Sequence, residues 1–225
     1  MNIAIILAGG TGSRMSLDMP KQFALVKGKP IMAYTLSVFN ESPLIDEIYL
    51  VSHKDYFEQS RNIIKQCKFE KVNGMFEGGK TRQESTYNAL SVINAHDDDI
   101  ILIHDCARPL VDLDIIENNI KACKQFDAVE TAVKAVDTTI EVSNGILEHP
   151  LDRTKLYQVQ TPQTFKYKLI KDAHENAIKN KLTDITDDAQ LVAMLGYKVH
   201  IVEGKRSNLK ITTNDDLKIM EALVK

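Results

Sequence analysis

The sequence predicts an α/β fold in which a mainly parallel, twisted β-sheet is flanked by helices. Short apolar runs without polar alternation, such as residues 3–7 and the interior of residues 99–104, are typical of strands buried on both faces. Segments with apolar residues at helical spacing lie between these runs. Strands that alternate with helices along a chain favour a parallel sheet.

Each element follows from its local pattern. The predicted strands are residues 3–7, 45–52, 71–76, 99–104, 128–136 and 198–202. The predicted helices are residues 31–39, 56–67, 82–94, 115–126, 169–180 and 188–195, and a last helix that begins at Asn214. Residues 158–163 are polar around a proline, and we interpret them as a loop that lines something.

A β-hairpin interrupts this alternation at about residues 138–152. The pair Asn144-Gly145 supplies the turn between two short runs of strand-forming residues. A hairpin after the sheet is complete is suited to an arm for dimer exchange or to a lid. We find no linker, and we expect residues 1–225 to form a single domain.

Composition excludes several classes of partner. The chain has 225 residues, a formal net charge of -3, 44% hydrophobic and 26% charged residues, which is ordinary for a globular protein. The chain lacks the net positive charge that would attract nucleic acid, and it has no apolar run of membrane-spanning length. Three cysteines without Cys-x-x-Cys spacing fit a reducing compartment. We therefore expect a cytoplasmic protein that binds neither nucleic acid nor membrane.

The first predicted strand runs into a glycine-rich turn that carries Gly9, Gly10 and Gly12, and Arg14 and Lys21 follow. Glycines allow the backbone to approach a ligand closely and to direct N–H groups at phosphate oxygens. With the two cations, the turn predicts a polyphosphate site. The pattern matches neither a Walker loop nor Gly-x-Gly-x-x-Gly, and glycines that serve only local geometry are the alternative.

Two further loops lie at predicted strand ends. Gly78-Gly79-Lys80-Thr81-Arg82-Gln83-Glu84-Ser85 is either a binding turn for a base or ribose or a plain helix start. Asp105 either binds Mg²⁺ that bridges nucleotide phosphates or serves as a helix cap or ion-pair partner of Arg108. Since ligands of such sheets bind outside the carboxyl ends of the strands, we expect all three loops to converge on one rim. His104 is interpreted as structural.

No Ser-His-Asp arrangement or zinc-ligand spacing is evident. Arg153 and Lys210 are further basic points near strand ends, although isolated cations are usually solvated. Phosphoryl-type transfer needs no nucleophilic side chain, because it depends on positioning and on neutralisation by cations and metal. The candidate residues are those that such a reaction requires.

The whole chain resembles the CTP-dependent polyol-phosphate cytidylyltransferases, whose members act on ribitol 5-phosphate or 2-C-methyl-D-erythritol 4-phosphate. The motifs that carry the resemblance are Leu7-Ala-Gly-Gly-x-Gly-x-Arg14, Pro20-Lys-Gln22, Gly78-Gly-x-x-Arg-x-x-Ser85, His104-Asp-x-x-Arg-Pro109, Asp137-Thr138, Arg153, Thr161-Pro-Gln163, Thr186-Asp-Asp188 and Asn208-x-Lys-x-Thr212. Taken together they are highly specific.

The resemblance implies a Rossmann-like sheet, a projecting β-arm and a homodimer. It implies that the phosphate of the polyol attacks the α-phosphorus of CTP and that pyrophosphate leaves. By resemblance, the catalytic residues are Arg14, Lys21, Arg153 and Lys210. The residues implied to bind CTP are Leu7, Ala8, Gly9, Gly10, Gly79, Lys80, Thr81, Arg82 and Ser85. Those implied to bind the polyol phosphate are Asp105, Arg108, Thr138, Arg153 and Lys210, with Asp105 also on the magnesium side.

The residues next to the Asp-Thr pair favour ribitol 5-phosphate as the polyol. Enzymes for methylerythritol phosphate usually have the pattern Lys-Asp-Thr-x-Lys. Here Val136 precedes Asp137, and Glu141 stands near the place where the second lysine of the pattern would be. The alternative is 2-C-methyl-D-erythritol 4-phosphate, which Ala107-Arg108-Pro109 favours. A nucleotidyltransferase for sugar 1-phosphates and a catalytically silent nucleotide-binding protein are the competing classes.

Overall fold

The computed structural model describes residues 1–10, 19–183 and 185–224. Its strands are β1 (Asn2–Ala8), β2 (Leu25–Val26), β3 (Lys29–Pro30), β4 (Glu47–Ser52), β5 (Val72–Glu77), β6 (Ile100–Asp105), β7 (Ala128–Lys134), β8 (Ile140–Ser143), β9 (Ile146–Pro150), β10 (Tyr157–Lys166) and β11 (His200–Glu203). Its α-helices are α1 (Ile31–Glu41), α2 (Phe57–Cys67), α3 (Arg82–Val92), α4 (Leu113–Phe126), α5 (Tyr167–Lys179), α6 (Asp188–Met194) and α7 (Asn214–Leu223). None of these helices combines the length and the apolar character needed to cross a lipid bilayer.

Seven strands form one sheet in the order β11-β7-β10-β6-β1-β4-β5. β1 pairs in parallel with β4 and β6, β4 with β5, and β7 with β11. β10 runs antiparallel to both of its neighbours, β6 and β7. The predicted α/β, Rossmann-like class is confirmed, and the sheet is mixed because of this single reversed strand.

The strand β10 corrects the prediction of a loop at residues 158–163. Its polar side chains from Gln160 to Thr164 are buried, and each of them has a hydrogen-bond partner. Gln160 donates to the carbonyl of Lys205 at 2.9 Å, and Thr164 donates to Asn119 at 3.1 Å. A buried strand with this polar composition lacks the apolar pattern on which the sequence prediction depended.

Helices cover both faces of the sheet. One core contains Met32, Leu36 and Phe39 of α1, together with residues of α2 and α4. The other contains residues of α3, α5 and α6. Along β1, Ala4 and Ile6 belong to the first core while Ile3 and Ile5 belong to the second, as the alternation of side chains in a strand requires. This two-sided burial explains the unbroken apolar run at the start of the chain.

The predicted hairpin is present as β8 and β9. Asn144 and Gly145 connect the strands with φ values of 52° and 80°, as a tight turn with two left-handed residues requires. All residues of both strands are exposed, and they pair only with each other. We call the hairpin at about 138–152 the arm; its role in a dimer stays a prediction.

Candidate active site

The first glycine turn follows β1 and is held by a buried glutamine. Gln22 donates from Nε2 to the carbonyl oxygens of Ala8 at 2.6 Å and of Gly10 at 3.2 Å. Gly9 and Gly10 have no positive φ, so no left-handed conformation requires glycine here. A Cβ atom added at Gly10 would meet no atom of the described residues within 4 Å. Gln22 therefore anchors the turn, and nothing in the described part of the chain covers Gly10.

The second glycine turn joins β5 to α3 and is organised by Ser85. The Ser85 hydroxyl accepts from the N–H of Gly79 at 3.0 Å and donates to the carbonyl of Thr81 at 2.8 Å. Thr81 caps α3 by accepting from the N–H of Glu84 at 3.0 Å. A Cβ atom added at Gly79 would lie 2.2 Å from Cγ of Glu84. The helix-start interpretation is therefore correct, and it leaves the turn's surface available for a ligand.

The two glycine turns touch each other. A Cβ atom at Gly9 would lie 3.7 Å from the Ser85 hydroxyl oxygen and 3.9 Å from Cα of Gly78. Small residues therefore allow the loops after β1 and β5 to pack side by side, and together they form one continuous wall.

Asp105 ends β6 and carries two cationic partners. Its Oδ2 atom lies 2.7 Å from Nζ of Lys210, and its Oδ1 atom lies 3.3 Å from Nε of Arg82. Burial alone would raise the pKa of the Asp105 carboxyl, but the charges of Arg82 and Lys210 hold it well below its usual range. Asp105 is thus ionised at neutral pH. Asp105 is thus paired with these two cations rather than with Arg108, which the sequence offered as an alternative partner.

The segment that carries Lys210 is anchored on both sides. The N–H of Ile211 donates to the carbonyl of Ala107 at 2.8 Å, and the Ile211 carbonyl accepts from Nζ of Lys21 at 2.7 Å. The Asp216 carboxylate accepts from the N–H of Thr212 at 2.8 Å. Lys210 is therefore presented from a fixed backbone rather than from a free loop.

A cavity of about 350 Å³ brings these groups together. This volume lies within the range of small-molecule sites. The lining residues are Leu7, Ala8, Gly9, Gly10, Lys21, Gln22, Gly79, Lys80, Thr81, Arg82, Ser85, Asp105, Cys106, Ala107, Lys210 and Thr212. They include all nine residues that the resemblance implied for CTP, together with Lys21, Asp105 and Lys210. The predicted convergence of the three loops on one rim is confirmed.

Other predicted site residues do not line this cavity. Arg108 donates to the carbonyl oxygens of Asn208 at 2.9 Å and Val159 at 3.1 Å. Thr138 and Arg153 lie exposed at the base of the arm. Arg14 lies outside the described residues. His104 is fully buried, which lowers its pKa to about 4, as its structural interpretation predicts.

Several residues of the site stand in the quoted motifs but were given no role from the sequence. Gln22 and Thr212, which belong to the motifs of Lys21 and Lys210, line the cavity. Asp188 is different, since it contacts Arg82 across 106 positions of sequence. No local pattern connects two residues so far apart in the chain.

Comparisons with known proteins agree with this site. The family model described as IspD, 2-C-methyl-D-erythritol 4-phosphate cytidylyltransferase, matches residues 2–225. A relative of that name from Clostridium acetobutylicum is 45% identical over 227 residues, covering 100% of this chain and 98% of the relative. One from Thermosipho africanus is 44% identical over 98% of this chain and 96% of its own length.

Solved structures give the same result. The Francisella tularensis 2-C-methyl-D-erythritol 4-phosphate cytidylyltransferase superposes with a TM-score of 0.85 at 32% identity and covers 100% of both chains. The 4-diphosphocytidyl-2C-methyl-D-erythritol synthase of Anaerococcus prevotii has a TM-score of 0.86 at 29% identity and covers 99% of this chain and 95% of that one. The chain therefore belongs to the IspD family of 2-C-methyl-D-erythritol 4-phosphate cytidylyltransferases, and it is a CTP-dependent nucleotidyltransferase.

Proposed function

We propose that the protein transfers CMP from CTP to the phosphate of 2-C-methyl-D-erythritol 4-phosphate and releases pyrophosphate. One observation carries the proposal: two glycine turns, Lys21, Lys210 and Asp105 line a single cavity. The names of relatives that match along the full chain supply the polyol. The reaction joins an oxygen of the polyol phosphate to the α-phosphorus of CTP, and the bond to the β-phosphate breaks.

This proposal replaces ribitol 5-phosphate, which the sequence pattern favoured and which the relatives do not support. The structure gives a reason why that pattern misled. The side chain of Val136 is 51% exposed, and it is the residue's carbonyl that accepts from Arg153 at 3.0 Å. Glu141 forms an exposed ion pair with His149 within the arm. Neither side chain lines the described cavity of its own chain, and neither is among the residues proposed to bind the polyol phosphate.

CTP is proposed to bind along the wall formed by Leu7, Ala8, Gly9 and Gly10 and by Gly79, Lys80, Thr81, Arg82 and Ser85. The glycines permit close approach of the backbone, whose N–H groups are suited to phosphate oxygens. Lys21, and Arg14 by resemblance, would neutralise the negative charge that develops on the oxygens of the transferring α-phosphate. Because the net charge of the chain is -3, the attraction for CTP must come from these local cations.

Asp105 is proposed to hold Mg²⁺. It is the one carboxylate among the cavity-lining residues that the structure describes. A single carboxylate fits this ion, which takes most of its remaining ligands from phosphates and water. When bound, the ion would supply charge neutralisation at the triphosphate. Lys210 and Arg82 form ion pairs with the same Asp105 carboxylate.

The polyol phosphate is proposed to bind to Lys210 of one protomer and to residues at the arm of the other protomer. Arg153 and Thr138 are exposed and lie outside the cavity of their own chain, so a homodimer would supply them across the interface. Apolar side chains of the arm are exposed, including Ile146 at 70% and Leu147 at 56%. Such a patch is typical of an interaction surface. Arg108 would contribute from the cavity's edge.

Residues 1–225 are proposed to act as one domain, since β1 and β11, from the two ends of the chain, belong to one sheet. The test is pyrophosphate release by the purified protein with Mg²⁺, the methylerythritol phosphate and CTP, UTP or GTP in turn. We expect release with CTP at least about tenfold faster than with the others, equivalent to about 1.4 kcal/mol. No release with any nucleotide would support the catalytically silent alternative.

A further inference from the structure

We propose that Asp188 and His174, which lie outside the cavity, are positioning residues of the nucleotide site and act through Arg82. The inference rests on the proposed function, because it requires the cavity to bind CTP. Asp188 begins α6 and His174 lies on α5. The route to the cavity consists of direct polar contacts between charged or polar side chains.

Arg82 is the only one of the three that lines the cavity. Its Nη1 atom donates to Oδ2 of Asp188 at 2.5 Å, and its Nε atom donates to Oδ1 of Asp105 at 3.3 Å. Its Nη2 atom lies 3.4 Å from Oε1 of Gln163. The guanidinium therefore has several polar partners. It connects the carboxylate of Asp105, which lines the cavity, to the more deeply buried carboxylate of Asp188.

Asp188 is the deeper carboxylate, with a side chain that is only 1% exposed. Burial by itself would raise the pKa of the Asp188 carboxyl, but Arg82 and His174 lower it below its usual value. A buried carboxylate without such partners would cost several kcal/mol. The backbone N–H of Asp188 also donates to Oε1 of Gln163 at 3.1 Å. Asp188 is therefore a fixed negative charge behind the nucleotide site.

His174 is completely buried, and its one polar contact with a described residue is with Asp188. Its Nε2 atom lies 3.0 Å from Oδ1 of Asp188, and its Nδ1 atom has no hydrogen-bond partner among the described residues. An apolar side chain of similar size would fill this position without leaving a ring nitrogen unsatisfied. The imidazole is therefore explained by its hydrogen bond to Asp188 rather than by packing.

The consequence is a row of alternating polar groups, His174–Asp188–Arg82–Asp105–Lys210, that runs from the core into the cavity. Without Asp188, Arg82 would keep Asp105 and Gln163 as its only partners among the described residues, and both Arg82 and Asp105 would gain freedom. Ordering them again would oppose ligand binding, because preorganised groups bind with a smaller entropy cost. We therefore expect weaker binding of CTP when Asp188 is neutralised.

The decisive experiment is a double-mutant cycle on CTP affinity, measured by calorimetry at fixed Mg²⁺. We expect Asp188→Asn to raise the dissociation constant by about 10-fold or more, the effect typical of losing a partner that orients a ligand-binding residue. In an Arg82→Met background, Asp188→Asn should cause little further loss, because contacting residues couple. The control is Asp172→Asn, which removes an exposed carboxylate paired with Lys168 and should leave the affinity unchanged.

Two substitutions at His174 separate positioning from packing. His174→Gln places an amide nitrogen near the position of Nε2 and should retain most of the affinity for CTP. His174→Leu fills the space but cannot donate to Asp188, and it should weaken CTP binding severalfold. This pair decides the matter if Asp188→Asn does not fold, which thermal unfolding of each variant would reveal.

Two results would overturn the inference. One is wild-type affinity in a folded Asp188→Asn protein, and the other is full additivity of the Asp188 and Arg82 losses. If Asp188→Asn does not fold, equal affinities of the two His174 variants would overturn it in their place. Failure of the wild-type protein to bind CTP would overturn the proposed function itself, and this inference with it.

Discussion

The Nζ atom of Lys21 donates a hydrogen bond to the backbone carbonyl of Ile211 at 2.7 Å. This contact joins the segment after β1 to the segment that carries Lys210, across 190 positions of sequence. Both ammonium groups line the same cavity. A chain with a net negative charge thereby acquires a local positive site that suits a triphosphate.

Replacement of Lys21 by alanine tests its proposed role at the transferring phosphorus. We expect turnover to fall by about 10²–10³, the effect of removing one preorganised charge contact. Arg14→Ala should behave similarly, on the basis of the family resemblance. Steady-state pyrophosphate release measures the effect, and Lys54→Ala, which removes an exposed lysine outside the cavity, is the control. Unchanged turnover in Lys21→Ala would remove this residue from the mechanism.

Replacement of Arg153 by alanine tests the polyol side of the site. Because Arg153 is assigned to the substrate phosphate, we expect a higher KM for the polyol phosphate and little change in the KM for CTP. Initial rates with each substrate varied in turn separate the two constants. Lys155→Ala, two positions away and also exposed, is the control. A selective rise in the KM for CTP would show that the assignment is reversed.

Mixing of two impaired variants tests whether Arg153 acts across a dimer. A heterodimer of Lys21→Ala and Arg153→Ala chains would contain one site with both native residues. After subunit exchange of equal amounts, we expect about a quarter of the wild-type activity, since half of the dimers are mixed. The assay uses polyol phosphate below its wild-type KM. Activity that stays at the average of the two variants would place Arg153 in its own chain's site.

Two glycines of the cavity should respond differently to alanine. Gly79→Ala must displace Glu84, so we expect it to lower the free energy of unfolding by about 1–3 kcal/mol and to weaken CTP binding. Gly10→Ala meets no atom of the described residues within 4 Å, so it should weaken CTP binding while the free energy of unfolding changes by less than about 0.5 kcal/mol. Denaturant unfolding and calorimetry measure both. Equal losses of stability would contradict the packing described here.

Glu130 should make stability depend on pH. Burial and the charge of Asp187 raise the pKa of Glu130 to about 7 in the folded protein, against about 4.3 in an unfolded chain. The folded state therefore holds more protons between these values, so stability should fall as pH rises from about 4.3 to about 7. Glu130→Gln should flatten this dependence in thermal unfolding, and Glu58→Gln, at an exposed position, should not. Parallel wild-type and Glu130→Gln profiles would contradict the raised pKa.

Much of this architecture was predictable from local patterns. Residues 3–7 and the interior of residues 99–104 are apolar because helices cover both faces of the sheet. Such apolar runs can be recognised in a sequence. Gly9, Gly79 and Asp105 lie at the carboxyl ends of strands. Since ligands of such sheets bind beyond these ends, the three residues were predicted to share one rim. The cavity confirms that placement.

The features that were missed depend on contacts between distant residues. The strand β10 is polar, and its Gln160 and Thr164 are stabilised by partners on other elements. The bond between Arg82 and Asp188 has no signature in either segment alone. The choice of polyol depended on the residue types at Val136 and Glu141, neither of which lines the cavity that the structure describes.

The most direct test of the account compares two polyols with the same enzyme. Pyrophosphate release with CTP and Mg²⁺ should be measured in parallel with 2-C-methyl-D-erythritol 4-phosphate and D-ribitol 5-phosphate. We predict a preference for the methylerythritol phosphate of at least about a hundredfold in kcat/KM, near 3 kcal/mol of differential transition-state binding. An equal rate with both, or a preference for ribitol 5-phosphate, would contradict the proposed substrate.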